Sequence, residues 1–420
     1  MKQRLILLLD RYPYSSGEYS FIKSELKCLT EKFNVSILCA TREERQKMPL
    51  DPQIGLHHVD LKYGILQIVL SFFSMCFTRL GLEELSEILK SREKIAGRLF
   101  FSTRFLLYAR LISKYARRNI LKDEGEKILI YSFWFNHSCL GFLMNKDRYP
   151  NMKVISRVHG HDLYDERNEY GRQPFRKQMD RMVDKLFFIA KSGKEYYINS
   201  LKTDDDHDKY QIARLGTESP NLNTMKNQEG AFMLISCSSC ISLKRIDLII
   251  KALSLINDES LEGGNLRWVH FGDGELLHDL QNLAEKSLST RSRISYEFKG
   301  QIPLEEILGY YAGCDKAGFI TTSETEGSPV SIQEALSYGI PVIGTSVGEI
   351  PYMIKGNGYL LPKDPDDSEV KNAVLLLYSD SLDNDRFDEM KKNSYKLWKE
   401  YYNGSQNAIY FTNKLIDIMK

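Results

Sequence analysis

The chain has 420 residues, more than one hydrophobic core usually supports, so two domains are expected. A hydrophobic content of 42%, a charged content of 27% and a net charge of +1 are those of a soluble globular protein, and they exclude a general nucleic-acid binder. Seven dispersed cysteines predict reduced thiols in a cytoplasmic setting rather than a disulfide framework, and Cys237 and Cys240 lack the second pair or spaced histidine of a zinc site.

Taken in order, Leu5–Leu9 is an apolar run too short for a signal peptide and reads as a first strand. It leads through the loop YPYSSGE (12–18) into a helix ending at Lys32 and a second strand at Val35–Ala40, the opening of a doubly wound sheet. At Gly17 two readings stand: a close backbone approach to a ligand, or a plain strand-to-helix turn. Tyr63–Leu80 is the most apolar stretch, but Gln67, several serines and Arg79 interrupt it, so it is not a membrane span. Lys90–Lys122 is basic with interleaved Leu, Phe and Tyr. Residues 63–122 thus read either as peripheral contact with an anionic membrane or as helices packed on the sheet with a solvated face.

Ile128–Trp134 is the next strand, and Val154–Val158 delivers His159 at its carboxyl end, where open α/β sheets place ligands. The string His159-Gly160-His161-Asp162 also invites a metal reading. The metallo-hydrolase pattern wants a further Asp-His just beyond, where Leu163 and Tyr164 stand, so no metal is expected. Asp184–Ala190 reads as a strand and Ser192–Ser200 as a helix, and Asp204–Asp208 is a solvated acidic turn. Gln211–Gly216 and the polar Thr217–Glu229 mark a domain boundary, and the strand pattern restarts at Phe232–Ser236. Lys244 then stands near the start of a predicted helix Arg245–Leu255, where a phosphate is favoured. Leu266–Phe271 ends in the tight turn Gly272-Asp273-Gly274, which is not a dinucleotide fingerprint because the third glycine is missing. Ile294–Lys299 is a further strand and Pro303–Ala312 a helix. The charged Asp383–Lys420 is helical in pattern, with Trp398, Tyr401, Tyr402 and Phe411 as anchors.

Most of the functional signal lies in Lys316–Pro341. Ala317–Thr322 has the composition of a buried strand, Ser323–Gly327 are turn residues, and Pro329–Tyr338 is a predicted helix. Ser328 suits its N-cap, Pro329 its first position and Gly339 its left-handed C-cap. The backbone N–H groups of Val330 and Ser331 would be unpaired at the positive end of the helix, which attracts phosphate. Glu334 shares their face one turn further in, about 1.5 Å per residue along the axis, roughly the step from a diphosphate to its ribose. A carboxylate only accepts hydrogen bonds, so beside a diphosphate it serves hydroxyls; Glu326 could do the same for a sugar ring. Each glutamate taken singly is also an ordinary acid at a helix start.

Glu326 and Glu334 with seven residues between them, together with Gly327, Pro329 and EALSYGIPVIGTSVG, resemble the signature of glycosyltransferase family 4, retaining enzymes of the GT-B fold. The resemblance implies an α/β protein with two Rossmann-like, doubly wound parallel-sheet domains facing each other across a cleft. By that reading residues 1–215 form the acceptor-side domain, 216–399 the nucleotide-sugar domain, and helices at about 400–420 cross back onto the first. It also implies transfer of a sugar from a nucleotide diphospho-sugar to a hydroxyl of a glycan or lipid-linked acceptor, in cell-surface polysaccharide assembly, in the cytoplasm or at the inner membrane face. No cofactor or metal is expected, because the nucleotide sugar is a substrate.

RVHGHDLYDE (157–166) resembles the family's second motif, so His159 is expected to reach the donor sugar, with Asp162 of the same loop and Gly17 expected on the acceptor side. His159, Glu326 and Lys244 are the expected catalytic residues. Gly272, Gly274, Gly327, Ser328, Pro329, Val330, Ser331 and Glu334 are the expected donor-binding ones. The family commonly carries an arginine where Ser238 and Ser239 stand. Either Arg245 supplies a second cation, or one lysine and helix N–H groups hold the diphosphate. Relatives also often have glycine where Glu349 stands. Two other readings fit the same fold: a sugar-nucleotide epimerase or phosphorylase, and a non-catalytic partner subunit.

Overall fold

Short leucine- and β-branched-rich segments alternating with helices build two parallel sheets in the computed structural model, which describes residues 2–218, 231–262 and 264–420. Of the polar boundary stretch Thr217–Glu229, residues 219–229 lie outside the described residues. By its contacts the chain divides into two compact units, one of Met1–Arg214 with Ala408–Lys420 and the other of Leu215–Asn407.

The first unit holds β1 (Gln3–Leu9), β2 (Phe33–Thr41), β3 (Gly55–Asp60), β4 (Ile128–Ser132), β5 (Met152–Val158), β6 (Lys185–Phe188) and β7 (Tyr210–Ile212), in the order β3-β2-β1-β4-β5-β6-β7. Leu5–Leu9 are buried throughout, as befits a central strand covered by helices on both faces. Strand β3 was not read from the sequence, because GLHHVD lies at the sheet edge and only Val59 is buried. The second unit holds β8 (Phe232–Cys237), β9 (Leu266–Phe271), β10 (Ile294–Gly300), β11 (Ala317–Thr321), β12 (Val342–Thr345) and β13 (Gly358–Leu361), in the order β10-β9-β8-β11-β12-β13. The strand order therefore reverses direction between β1 and β4 in one sheet and between β8 and β11 in the other. Those two switch points open crevices beyond the strand ends, where open α/β sheets bind ligands.

The chain ends in helices Asp367–Leu382, Asn384–Leu397 and Gly404–Ile418, the last two joined through a π turn at Trp398–Tyr402. From Ala408 onward the last helix belongs to the first unit. Phe411 packs on Tyr131 and Phe187, with ring centroids 5.0 and 5.1 Å away, and the Arg157 guanidinium lies 4.2 Å over its ring. Arg157 is fully buried and paired with Glu25, which also accepts from the Tyr131 hydroxyl at 3.1 Å. A buried cation of this kind is tolerable only because it is paired and lies against a ring face.

Candidate active site

At the β8/β11 switch point the loop after β11 is fastened to the turn after β8. Glu324 N–H donates to Leu243 O at 2.9 Å, and the Thr322 hydroxyl donates to Lys244 O and Arg245 O at 3.1 and 2.8 Å. Lys244 ends a 3-10 turn, Ser242–Lys244, rather than starting a helix. Arg245 is left-handed, and the helix runs Ile246–Ser254. This geometry brings Lys244 Nζ to 2.5 Å from Glu326 Oε1, both side chains largely buried.

Arg245, one of the two alternatives left open for a diphosphate's second positive partner, has its guanidinium committed to the loop backbone. The guanidinium donates to Thr322 O at 2.7 Å, Ser323 O at 3.2 Å and Lys363 O at 2.7 Å, and pairs with Asp364 at 3.0 Å.

The helix after the loop runs Val330–Ser337, a residue shorter at each end than expected. Pro329, in extended backbone, is the N-cap; Ser328 is not, and its hydroxyl accepts from Gln333 Nε2 at 2.9 Å. Neither Val330 nor Ser331 donates its backbone N–H to a carbonyl outside regular structure among the described residues, which leaves the first turn able to receive an anion. At the other end Gly339 takes φ +73°, and the bonds Gly339 N to Leu336 O and Ile340 N to Ala335 O form a Schellman cap.

One turn in, Glu334 faces Cys237 and Tyr311, and burial raises its carboxyl to about 7. Its carboxylate has no hydrogen-bond or ion-pair partner among the described residues. A desolvated, unpartnered acid costs stability, which is the usual mark of a group kept for a ligand.

Gly272 and Gly274 make close approaches, but to protein. A Cβ on Gly272 would lie 1.9 Å from Ser238 O, and one on Gly274 would lie 2.6 Å from Cys240 O. Both glycines thus let the turn after β9 seat against the turn after β8. Beneath them His270 bridges Ser236 Oγ at 2.8 Å and Cys240 Sγ at 3.4 Å, and Trp268 Nε1 donates to Ser236 Oγ at 2.9 Å. Burial lowers His270 to about 4, so it is neutral there. Nothing in the sequence pattern pointed to this network. Gly348, at φ +53°, packs so tightly that a Cβ would lie 1.9 Å from Glu326 O, and Glu349 N–H donates to Gly327 O at 3.1 Å. Glu349 itself is completely buried, so the loop supports Glu326 and Gly327 through its backbone.

At the β1/β4 switch point of the first unit lies a cavity of about 510 Å³, lined among others by Asp10, Gly17, Glu18, Arg104, Trp134, Asn136, His137 and Asp162. Glu18 organises it. One carboxylate oxygen accepts from Asp10 N–H at 3.0 Å and Trp134 Nε1 at 2.6 Å, and the other from Arg11 and Tyr12 N–H at 2.9 Å each. Asp10 accepts from Asn136 Nδ2 at 2.7 Å, keeps Oδ1 buried without a partner, and is raised to about 7 by burial and then by Glu18. Gly17 lines the cavity beside these two acids, which sequence reasoning missed although Asp10 directly follows β1 and Glu18 closes the quoted loop.

Asp162 ties two loops together, accepting from His159 N–H and Phe135 N–H at 2.6 Å each. Burial raises it to about 7. His159 does not line this cavity. Its ring sits 4.5 Å from both the Phe133 and Trp134 rings, and burial, helped by Arg157, lowers it to about 3. One ring nitrogen bonds the Phe133 backbone, while Nε2 is sealed from solvent with no partner. The imidazole is therefore neutral, with a free lone pair. His159-Gly160-His161-Asp162 does not converge on a metal geometry, and among the described residues no three His, Cys, Asp or Glu groups do.

Residues 222–397 match the family model described as Glycosyl transferases group 1. The GtfA subunit of UDP-N-acetylglucosamine–peptide N-acetylglucosaminyltransferase from Streptococcus pneumoniae is 27% identical over 172 residues, 40% of this chain and 32% of that one. The chain thus spans about a third of that relative's length. Among solved structures, the lipopolysaccharide outer core galactosyltransferase WaaB superposes with a TM-score of 0.66 at 15% identity over 99% of both chains. HepE from Anabaena, solved with UDP and glucose, superposes with a TM-score of 0.61 at 14% identity over 99% of this chain and 100% of that one. Two parallel-sheet α/β units that superpose end to end on such enzymes, with residues 222–397 in the sequence pattern of the group 1 glycosyl transferases, give this chain the GT-B fold.

Proposed function

We propose that the chain is a glycosyltransferase that moves a hexose from a nucleotide diphospho-sugar to a hydroxyl of a glycan or lipid-linked acceptor, with the anomeric configuration retained, in cell-surface polysaccharide assembly. One observation carries the reading. The Lys244–Glu326 pair, the open first turn of helix Val330–Ser337 and the unpartnered Glu334 follow one another at a single switch point, in the order needed for sugar, diphosphate and ribose. Uridine is the first base to test, since the pneumococcal relative is named for UDP-N-acetylglucosamine and HepE was solved with UDP.

Charge builds on the diphosphate as the anomeric bond breaks, and fixed donors there stabilise the transition state. Lys244 uses one of its three N–H donors on Glu326 and keeps the others for phosphate. Glu326, held as the partner of that lysine, is ill placed to be a free nucleophile; its second oxygen positions sugar hydroxyls. The departing phosphate oxygen takes the acceptor proton, so transfer occurs on one face without a covalent intermediate. The neutral Nε2 of His159 accepts from the transferred sugar once its ring is uncovered. Asp10 and Asn136 hold acceptor hydroxyls in the cavity organised by Glu18.

Calorimetry with UDP and its sugars, followed by NMR of the product's anomeric proton, tests this. Binding of UDP and an anomer matching the donor's support the proposal. Failure to bind any nucleoside diphosphate removes it, an inverted anomer removes retention, and epimerised nucleotide sugar or phosphate-dependent sugar release would identify one of the alternative enzymes.

A further inference from the structure

Helix Ile65–Phe77 is turned inside out. The face it lays on the protein carries Ile68, Ser71 and Met75, with the Ser71 hydroxyl donating to Thr103 O at 3.1 Å and the Thr103 hydroxyl to Met75 Sδ at 3.3 Å. Its apolar side chains point outward: Ile65 is 83% exposed, Leu66 70% and Phe77 80%, with Leu70 and Phe73 between them on the same face. A soluble helix normally shows the reverse, and a contiguous apolar strip of this kind marks a contact surface. The next helix, Arg79–Ser91, meets it at 87°, close enough that a Cβ on Gly81 would lie 2.3 Å from Met75 Cα, and it adds exposed Leu82 and Leu89. Among the described residues no single helix is long and apolar enough to cross a membrane.

We infer that helix Ile65–Phe77 lies in the surface of an anionic lipid bilayer, its outward face among the acyl chains. Charge selects this occupant over a second protein. Between Tyr63 and Lys122 there are eleven Lys and Arg against four Glu and no Asp, in a chain whose total is only +1. All four glutamates are already paired within the first unit: Glu83 with Arg181, Glu84 with Arg172, Glu87 with Lys177 and Glu93 with Arg98. The helix has no charged residue, and Lys62 and Arg79 flank its two ends at headgroup reach.

The neighbouring helix Ile95–Asn119, on which this one rests through Thr103, sends Phe101, Arg104, Phe105 and Tyr108 into the cavity at the β1/β4 switch point. One helix therefore separates the bilayer contact from that cavity. If the acceptor reading above holds, the arrangement suits a sugar carried on a lipid; the bilayer contact itself does not depend on that reading.

The test is flotation of the purified chain with phosphatidylcholine vesicles, with and without phosphatidylglycerol. Wild type should float with the anionic vesicles and be released by salt. Phe73→Gln with Phe77→Gln should lower partitioning about 100-fold, given two large side chains withdrawn from an apolar phase, with melting temperature and UDP affinity unchanged. Phe73→Trp should shift its emission to the blue on vesicle addition. The inference is overturned if wild type stays in solution with anionic vesicles, or if the double variant floats as well as wild type. It is also overturned if wild type is a lipid-indifferent dimer that the double variant dissociates. UDP affinity is read separately, so loss of the bilayer contact and loss of the glycosyltransferase reading cannot be confused.

Discussion

Replacing Glu334 by glutamine should make the protein more stable and a poorer nucleotide binder at the same time, with the stability gain confined to high pH. Burial holds this carboxyl at about 7 in the folded chain, against 4.5 when exposed, and desolvation is the whole cause. The folded chain therefore binds the proton more tightly than the unfolded one. That stabilising contribution is complete below the unfolded value and is lost as the pH rises through 7. Between about pH 5 and about pH 8 the wild type gives up about 2–3 kcal/mol through this group alone, whereas Glu334→Gln has no proton to lose. For a unit of this size the difference in melting temperature between variant and wild type should widen by roughly 5–10 °C over that interval. Scanning calorimetry across the pH range reads it directly. Titration with UDP in the same buffers should show binding weakened by about 1 kcal/mol in Glu334→Gln and about 1.5–3 kcal/mol in Glu334→Ala, the range for hydrogen bonds to a charged acceptor. Parallel stability curves would refute the desolvation argument, and unchanged UDP affinity would refute the ribose role.

Lys244→Ala should lower turnover by about 100-fold or more while weakening donor affinity much less, because the leaving diphosphate gains its extra charge only in the transition state; equal losses in kcat and 1/Kd would mean that the lysine only binds. Gly348→Ala places a Cβ 1.9 Å from the Glu326 main-chain carbonyl oxygen at φ +53°, so it should shift the Glu326 backbone, carry its side chain with it and cost donor affinity about tenfold, whereas normal UDP titrations would show that the loop gives way harmlessly. Glu18→Gln turns an amide NH₂ toward groups that already donate, and should destabilise the first unit by about 2–4 kcal/mol in urea unfolding. A change below about 0.5 kcal/mol would show that the Glu18 cage does not hold the loop.

Much of this was legible locally. The run Lys316–Pro341 displays its strand, turn, helix and Gly339 cap to anyone reading residues a few positions apart, because the forces that shape them act over a few positions. The same holds for the alternation of strand and helix at the start of the chain, which predicts the opening of a doubly wound sheet; that there are two such sheets was implied by the family resemblance. Local reading erred where a residue's partner is distant. Arg245 looked like a free cation at a helix start, yet its guanidinium is engaged by carbonyls 77 and 118 residues away. Ser328 is a separate, local miss: it looked like a cap, but Pro329 takes that place and the Ser328 hydroxyl accepts from Gln333, five residues on.

By itself, then, the sequence determined most of the strands and helices, though not the edge strand β3, and which segments carry Lys244, Glu326 and Glu334, though not Asp10 and Glu18. Tertiary structure decided who meets whom: Lys244 with Glu326 across 82 residues, Glu18 with Trp134 across 116, and the desolvation of Glu334 between Cys237 and Tyr311. It also decided that helix Ile65–Phe77 presents its apolar face outward, which periodicity cannot show because a moment gives a direction but not what lies in it. The physical reason is common to all of these. Strand order in a parallel sheet is set by crossovers and core packing rather than by chain neighbours, and the switch points that order creates bring distant loop ends together.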